Sequence, residues 1–289
     1  MRKKQAFAAS DYTKNMLPQN RKEIFRDVVQ LHWKKLLLLG AVFLLFYIPI
    51  LIVKLGYDTY TARIYSILPT LSDANQYTAI SSVILVDILR SVILIPLLIL
   101  LSVALSGIAR TIRQYAWEEN VHIPTDFAKG IRDNFLHTAS LAALSGLIYT
   151  LCLSVYYTAD AYPSGLLSTL SLLPIAISLF VILPIFAIGL VMLPVYTNRL
   201  FTTLKNAWFL YTRHCLKCLG FLSLCLLLWV PSLLPNIYCH MFGSIAAALL
   251  TPIALLAWTL FCYDRFDESL NLLVCPELIG KGTFPNRQE

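Results

Sequence analysis

The sequence predicts an all-α, polytopic membrane protein: six transmembrane helices with cytoplasmic amphipathic connector helices, and both termini on the cytoplasmic side. Three observations predict it. The first is composition. Apolar residues make up 58% of the 289 positions and charged residues only 13%, against about 45–50% and about 25% in soluble domains. The mean hydropathy of +0.69 agrees. The second is a set of long stretches almost free of Asp, Glu, Lys and Arg. The third is a strong asymmetry of Lys and Arg between the two sides of those stretches. Together they exclude a soluble globule, an intrinsically disordered chain and a disulfide-stapled secreted domain.

A spanning helix needs about 20 mostly apolar residues. The first span is read at 36–53, bounded by Lys34, Lys35 and Lys54. Ahead of it, residues 1–35 form a basic cytoplasmic lead. Within that lead, 21–33 places Ile24, Val28, Leu31 and His32 near one face and Arg21, Lys22, Arg26 and Asp27 elsewhere. That pattern predicts an interfacial helix whose basic side chains meet anionic headgroups. Because the apolar stretch starts only at Leu36 and is long enough to span, no cleavable secretory signal is expected.

The second span is read at 80–109, interrupted by Asp87 and Arg90, and the third at 136–157. Residues 161–198 then hold 38 positions without a charge. Tyr162-Pro163-Ser164-Gly165 reads as a turn. That leaves 166–195 as one long span kinked at Pro174, Pro184 and Pro194, with two short spans as the alternative cut. Residues 218–263 hold 46 uncharged positions, about 69 Å as a single helix and too long for a bilayer of about 40–45 Å. Pro231, Pro235 and Asn236 break it. The fifth and sixth spans are therefore 215–234 and 241–263, with 264–289 as a cytoplasmic tail.

With the N-terminus inside, 20 of the 23 Lys and Arg lie in cytoplasmic segments, Lys54 and Arg63 lie outside, and Arg90 lies within a span. This positive-inside bias fixes the orientation. It also favours one span at 166–195, since an extra crossing would put the last basic segments on the wrong side. The net charge of +7 is read as a topology and lipid signal, so the lipid bilayer is an expected partner and nucleic acid is not.

Two cytoplasmic connectors precede spans three and five. In the first, Thr125 or Asp126 can cap a helix, and Phe127, Ile131 and Phe135 recur at i, i+4, i+8. The second contains Leu200, Leu204, Lys205 and Trp208. An offset of 73 positions pairs Ile131 with Leu204, Arg132 with Lys205, Asp133 with Asn206 and Phe135 with Trp208. A parallel internal repeat and a mere likeness of two amphipathic segments both account for this. Arg110, Arg113, Phe127, Arg132, Lys205 and Trp208 are the candidate surface for a partner or for lipid.

Asp87 and Arg90 are the sharpest local feature. Their i, i+3 spacing lets them meet on one helix face. An ionisable residue inside a span is costly, which makes it a candidate functional site, although a self-neutralising structural pair explains it equally. Most of the seven cysteines fall in apolar stretches, where Cys packs as a small hydrophobe. The Cys215-Leu216-Lys217-Cys218 spacing lacks a second ligand pair for zinc, and Cys239-His240 stands alone. There is no G-x-S-x-G, P-loop, H-E-x-x-H or dinucleotide fingerprint. No catalytic, cofactor-binding or metal-ligating residue is assigned, no cofactor is expected, and the chain is not expected to be an enzyme.

Several segments taken in order carry a family resemblance: Leu31-His32-Trp33-Lys34-Lys35, Leu45-Phe46-Tyr47-Ile48-Pro49, Gly107-Ile108-Ala109-Arg110, Asp126-Phe127, Arg132-Asp133-Asn134-Phe135 and Leu204-Lys205-Asn206-Ala207. Over residues 25–265 the chain resembles the YesL-like family of bacterial integral membrane proteins. The resemblance implies a six-span protein of the bacterial inner (plasma) membrane that serves sugar-uptake systems as an accessory, and it carries no catalytic residues. A small-solute transporter or channel using Asp87 and Arg90 is the competing expectation.

Overall fold

The computed structural model describes residues 18–117, 120–160, 165–196, 199–234 and 236–283. Among these there is no strand. The helices are α1 (Arg21–Ile67), α2 (Asp73–Ala116), α3 (Ile123–Asp160), α4 (Gly165–Ile177), α5 (Leu183–Met192), α6 (Leu200–Leu226), α7 (Ile237–Ser269) and the short α8 (Asn271–Val274). Six helical stretches are long and apolar enough to cross a membrane, α4 and α5 together making the fourth. The chain is thus an all-α, multi-pass membrane protein.

Asn20 caps α1: its side chain accepts from the Glu23 N–H at 3.0 Å, while Glu23 accepts from the Gln19 N–H at 2.6 Å, a reciprocal closure of the kind that satisfies orphan donors. The lead predicted at 21–33 is helical and meets the span at a kink, with His32 at φ −125°, ψ 16°. Past residue 53 the helix does not stop. Its 47 residues reach about 70 Å, and α2 starts at Asp73 rather than 80. Lys54, Asp58 and Arg63 end the hydrophobic slab but not the helix, because all three residue types are tolerated in a solvated helix.

Small residues set how closely the helices approach. A Cβ on Gly40 would lie 2.1 Å from the Leu249 carbonyl oxygen, so α1 and α7 meet backbone to backbone. Ser102 and Ser106 are fully buried, and a Cβ on Gly130 would come within 2.7 Å of the Ser106 carbonyl oxygen. This is the close contact that Ser, Gly and Ala permit between membrane helices. The core is built mainly from α1, α2 and α7, together with α5 and α6.

The fourth span is one crossing, broken in the middle. A π-helical turn at Ser178–Ile182 separates α4 from α5, directly before Pro184. Pro184 has no N–H to give to the carbonyl four residues earlier, that of Phe180. The Tyr211 hydroxyl of α6 donates to that carbonyl instead. The run after Lys217 breaks where Pro231 and Asn236 stand: a 3-10 stretch at Leu227–Leu233 follows α6, and Asn236 caps α7 by accepting from Tyr238 N–H at 2.9 Å.

Neither connector is a separate surface helix. The first is the leading part of α3, which runs straight into the span, and the second is the leading part of α6, kinked at His214 (φ −125°, ψ 26°). The two halves of the suspected repeat therefore differ: α2 is continuous where α4 and α5 are interrupted, and α3 is unkinked where α6 bends.

Residues 264–283 are not a free tail. Asp267 accepts from Arg21 at 2.9 Å, from Asn271 Nδ2 at 2.7 Å and from the Gly280 N–H at 3.1 Å. Arg21 also donates to the Lys281 carbonyl. Gly280 (φ 68°) and Gly282 (φ 88°) make the return, and a Cβ on Gly282 would sit 2.4 Å from the Ala116 carbonyl oxygen. The Tyr196 hydroxyl donates to Asn271 Oδ1 at 2.5 Å, and burial pushes its phenol up so that it stays a donor. The beginning and end of the described chain thus lie together at one end of the bundle, as an even number of crossings requires.

Two outcomes follow from these contacts. Tyr211→Phe leaves the Phe180 carbonyl without a donor inside an apolar layer, a loss of about 1–3 kcal/mol read as a lower thermal unfolding midpoint in detergent. Arg21→Ala removes the residue that clasps α1 to Asp267 and to the strap formed by residues 276–283. Limited proteolysis will then cut within 270–283 faster than in the wild type, and an unchanged cleavage rate would refute the clasp.

Candidate functional site

Asp87 and Arg90 sit on one face of α2, in its half toward the α1–α2 turn. The carboxylate is buried and its Oδ1 lies 2.5 Å from the Arg90 guanidinium. Two other helices close around the pair. The Tyr157 hydroxyl of α3 donates to Asp87 Oδ2 at 2.5 Å. The Tyr57 ring of α1 lies under the Arg90 guanidinium at 3.9 Å, and Arg90 donates to the Tyr149 hydroxyl of α3 at 3.3 Å. The site is therefore a three-helix knot: one carboxylate, one guanidinium and three tyrosines.

Its chemistry is that of mutual neutralisation. A charge taken out of water needs an opposite charge and further hydrogen bonds to offset its desolvation; the opposite charge is supplied here with one hydrogen bond to each partner, while Arg90 Nε stays without one among the described residues. The aromatic face adds a cation–π contact, worth about 2 kcal/mol when desolvated. Sequence reasoning found the ion pair and missed its tyrosines. Tyr149 and Tyr157 stand eight residues apart on α3, a spacing that puts both on one face, but nothing in that spacing says which helix they meet.

The six surface candidates separate into two groups. Arg132, Lys205 and Trp208 are exposed, with Trp208 51% exposed beside the still more open Phe201 on α6. The other three turn inward. Arg110 bonds Asp133 at 3.1 Å and so joins α2 to α3. Arg113 donates to the Pro194 carbonyl at 2.7 Å and lies over Trp117 at 4.4 Å. Phe127 lies on Gly107, where a Cβ would be 2.5 Å from its ring. The reason is geometric. A connector fused to α3 packs its first turns on α2, so Phe127 belongs to a helix–helix contact and not to an open surface.

Two residues set aside in the sequence also find partners. Cys215 Sγ donates to the Tyr211 hydroxyl at 3.2 Å, so one thiol of the C-x-x-C is engaged in packing. His240 is brought beside Asp58 of α1, Nδ1 to carboxylate 3.5 Å, across 182 positions of chain that no local motif could bridge.

If the knot is structural, Arg90→Ala leaves a buried, unpaired carboxylate and costs about 3–5 kcal/mol, whereas Asp87→Leu combined with Arg90→Met removes both charges and is close to neutral. Thermal unfolding of the three proteins in one detergent measures this. Equal midpoints for wild type and Arg90→Ala would show that the pair is not holding the helices.

No known protein family matches this chain, and neither a curated protein nor a solved structure is detectably similar to it.

Proposed function

We propose that the chain is a non-enzymatic accessory or regulatory component of a larger membrane complex, seated in a bacterial plasma membrane with both termini cytoplasmic. The observation that carries the reading is the sealed state of the Asp87–Arg90 pair. Both charges are engaged within the protein, by each other and by Tyr57, Tyr149 and Tyr157. A conduction path needs polar groups that a passing solute can reach, and this pair is committed to helix contacts.

The distribution of burial adds to it. Only 17% of the most apolar stretch of the fifth span is buried within the protein, against 44% for the sixth. The faces of α3 and α6 are thus free to pack against lipid or another membrane protein, and Trp208, Lys205 and Arg132 extend that outlook at the terminal end of the bundle. The resemblance to the YesL-like family points to a carbohydrate importer as the complex served.

One observation favours the competing reading of a small-solute transporter: the fourth span is interrupted by a π-helical turn, and broken helices line substrate sites in transporters. Purification from native membranes in mild detergent, with mass spectrometry of what accompanies the protein, separates the two. The accessory reading expects one membrane complex in near-stoichiometric amount. Recovery of the protein alone, with solute flux in liposomes that Arg90→Ala abolishes, would overturn it in favour of transport.

A further inference from the structure

A largely apolar cleft of about 650 Å³ with a few charged groups in its wall opens at the end of the bundle away from the termini, between α1, the 3-10 stretch after α6 and the start of α7. Lys54, Asp58 and His240 line it together with Tyr65, Leu233 and Ile237. Lys54 and Asp58 are one helical turn apart on α1, a rise of about 6 Å, yet they form no ion pair with each other. Lys54 Nζ donates to the Ser232 carbonyl at 3.2 Å, which uses one of its three donors. Among the described residues the Asp58 carboxylate has one partner within 4 Å, the His240 ring at 3.5 Å. That ring is 7% exposed, and its Nε2 has no hydrogen-bond partner. Around these groups Tyr65, Leu233 and Ile237 are open to the outside.

A ligand of a single sign would meet one like charge in this cleft. A ligand carrying both signs, an anionic group and a primary ammonium about one turn apart, satisfies both. Lys54 stands where the charge-free run of the first span ends, the depth at which headgroups begin, and the exposed Tyr65, Leu233 and Ile237 offer an apolar border to a chain attached to such a group. We propose that this cleft binds a phosphoethanolamine group, its phosphate on Lys54 and its ammonium donating to Asp58, with His240 holding the carboxylate in place. The group can arrive as the head of a phospholipid or as a soluble ester. The proposal does not depend on the accessory reading: it concerns the other end of the molecule and holds with or without a protein partner.

The test uses the full-length protein in mild detergent, with native mass spectrometry to count bound lipid. Phosphatidylethanolamine should be retained about ten-fold better than either phosphatidylglycerol, which lacks the ammonium, or phosphatidylcholine, whose quaternary nitrogen has no N–H to donate, a factor corresponding to about 1.4 kcal/mol. Asp58→Asn and Lys54→Met should each abolish the preference. The comparison of three lipids on the wild-type protein stands even if a variant fails to fold. Addition of O-phosphoethanolamine distinguishes the sources. If it displaces the lipid and raises the unfolding midpoint, the soluble ester suffices; if it does neither while the lipid is retained, the lipid is the ligand. Equal retention of all three lipids with no effect of the soluble ester, or unchanged preference in folded Asp58→Asn and Lys54→Met proteins, overturns the proposal.

Discussion

No water reaches the hydrocarbon of a bilayer, so every backbone carbonyl and every charge inside a span must find its partner within the protein. That constraint explains the least obvious contacts in this structure. Pro184 frees the carbonyl of Phe180, and a tyrosine from another helix takes it up. Asp87 and Arg90 neutralise each other and are then closed over by tyrosines from two more helices. In both cases one sequence position creates a local cost, and residues brought in by the fold offset it. The same demand explains why the fourth span survives Pro174 and Pro184, with Pro194 lying beyond its last helical residue: the break is confined to a π-helical turn whose unpaired group is answered from outside.

The terminal end of the bundle follows a different logic. Water is available there, so the contacts are ionic, and they fasten rather than insulate. Arg21 reaches from the first turn of α1 to Asp267 near the end of α7 and to the strap that follows. The strap returns over Ala116 only because Gly280 and Gly282 adopt left-handed backbone, which costs a glycine no steric clash with a Cβ. Lys281 lies over Trp117, on whose ring Arg113 also rests. Segments that composition marks as a basic lead and a polar tail are in fact the two halves of one closure.

The opposite end is more open. There α1 runs past the apolar layer, and its Lys54 and Asp58 line a cleft together with the buried His240 of α7, bordered by apolar side chains. One end is therefore sealed by paired charges and the other presents charges that do not pair with one another. This contrast gives the molecule a polarity beyond that set by its Lys and Arg counts.

The sequence by itself determined the number of crossings, their order, the break at Pro231 and Asn236, and the presence of an ion pair at 87 and 90. These follow from properties local to the chain: hydrophobic run length, positions of proline, and the i, i+3 geometry of a helix. Only the tertiary structure decided what each exception meets. Phe127 lies on Gly107, Tyr157 on Asp87, Tyr211 on the Phe180 carbonyl and His240 beside Asp58. The helices extend beyond the apolar stretches for a related reason. The charges at 54, 58 and 63 mark where the apolar layer stops, whereas the helix itself continues as long as its backbone stays bonded. Periodicity assigns a residue to a face of its own helix. Which neighbour covers that face is set by the packing of all six spans at once, and no short stretch of sequence contains it.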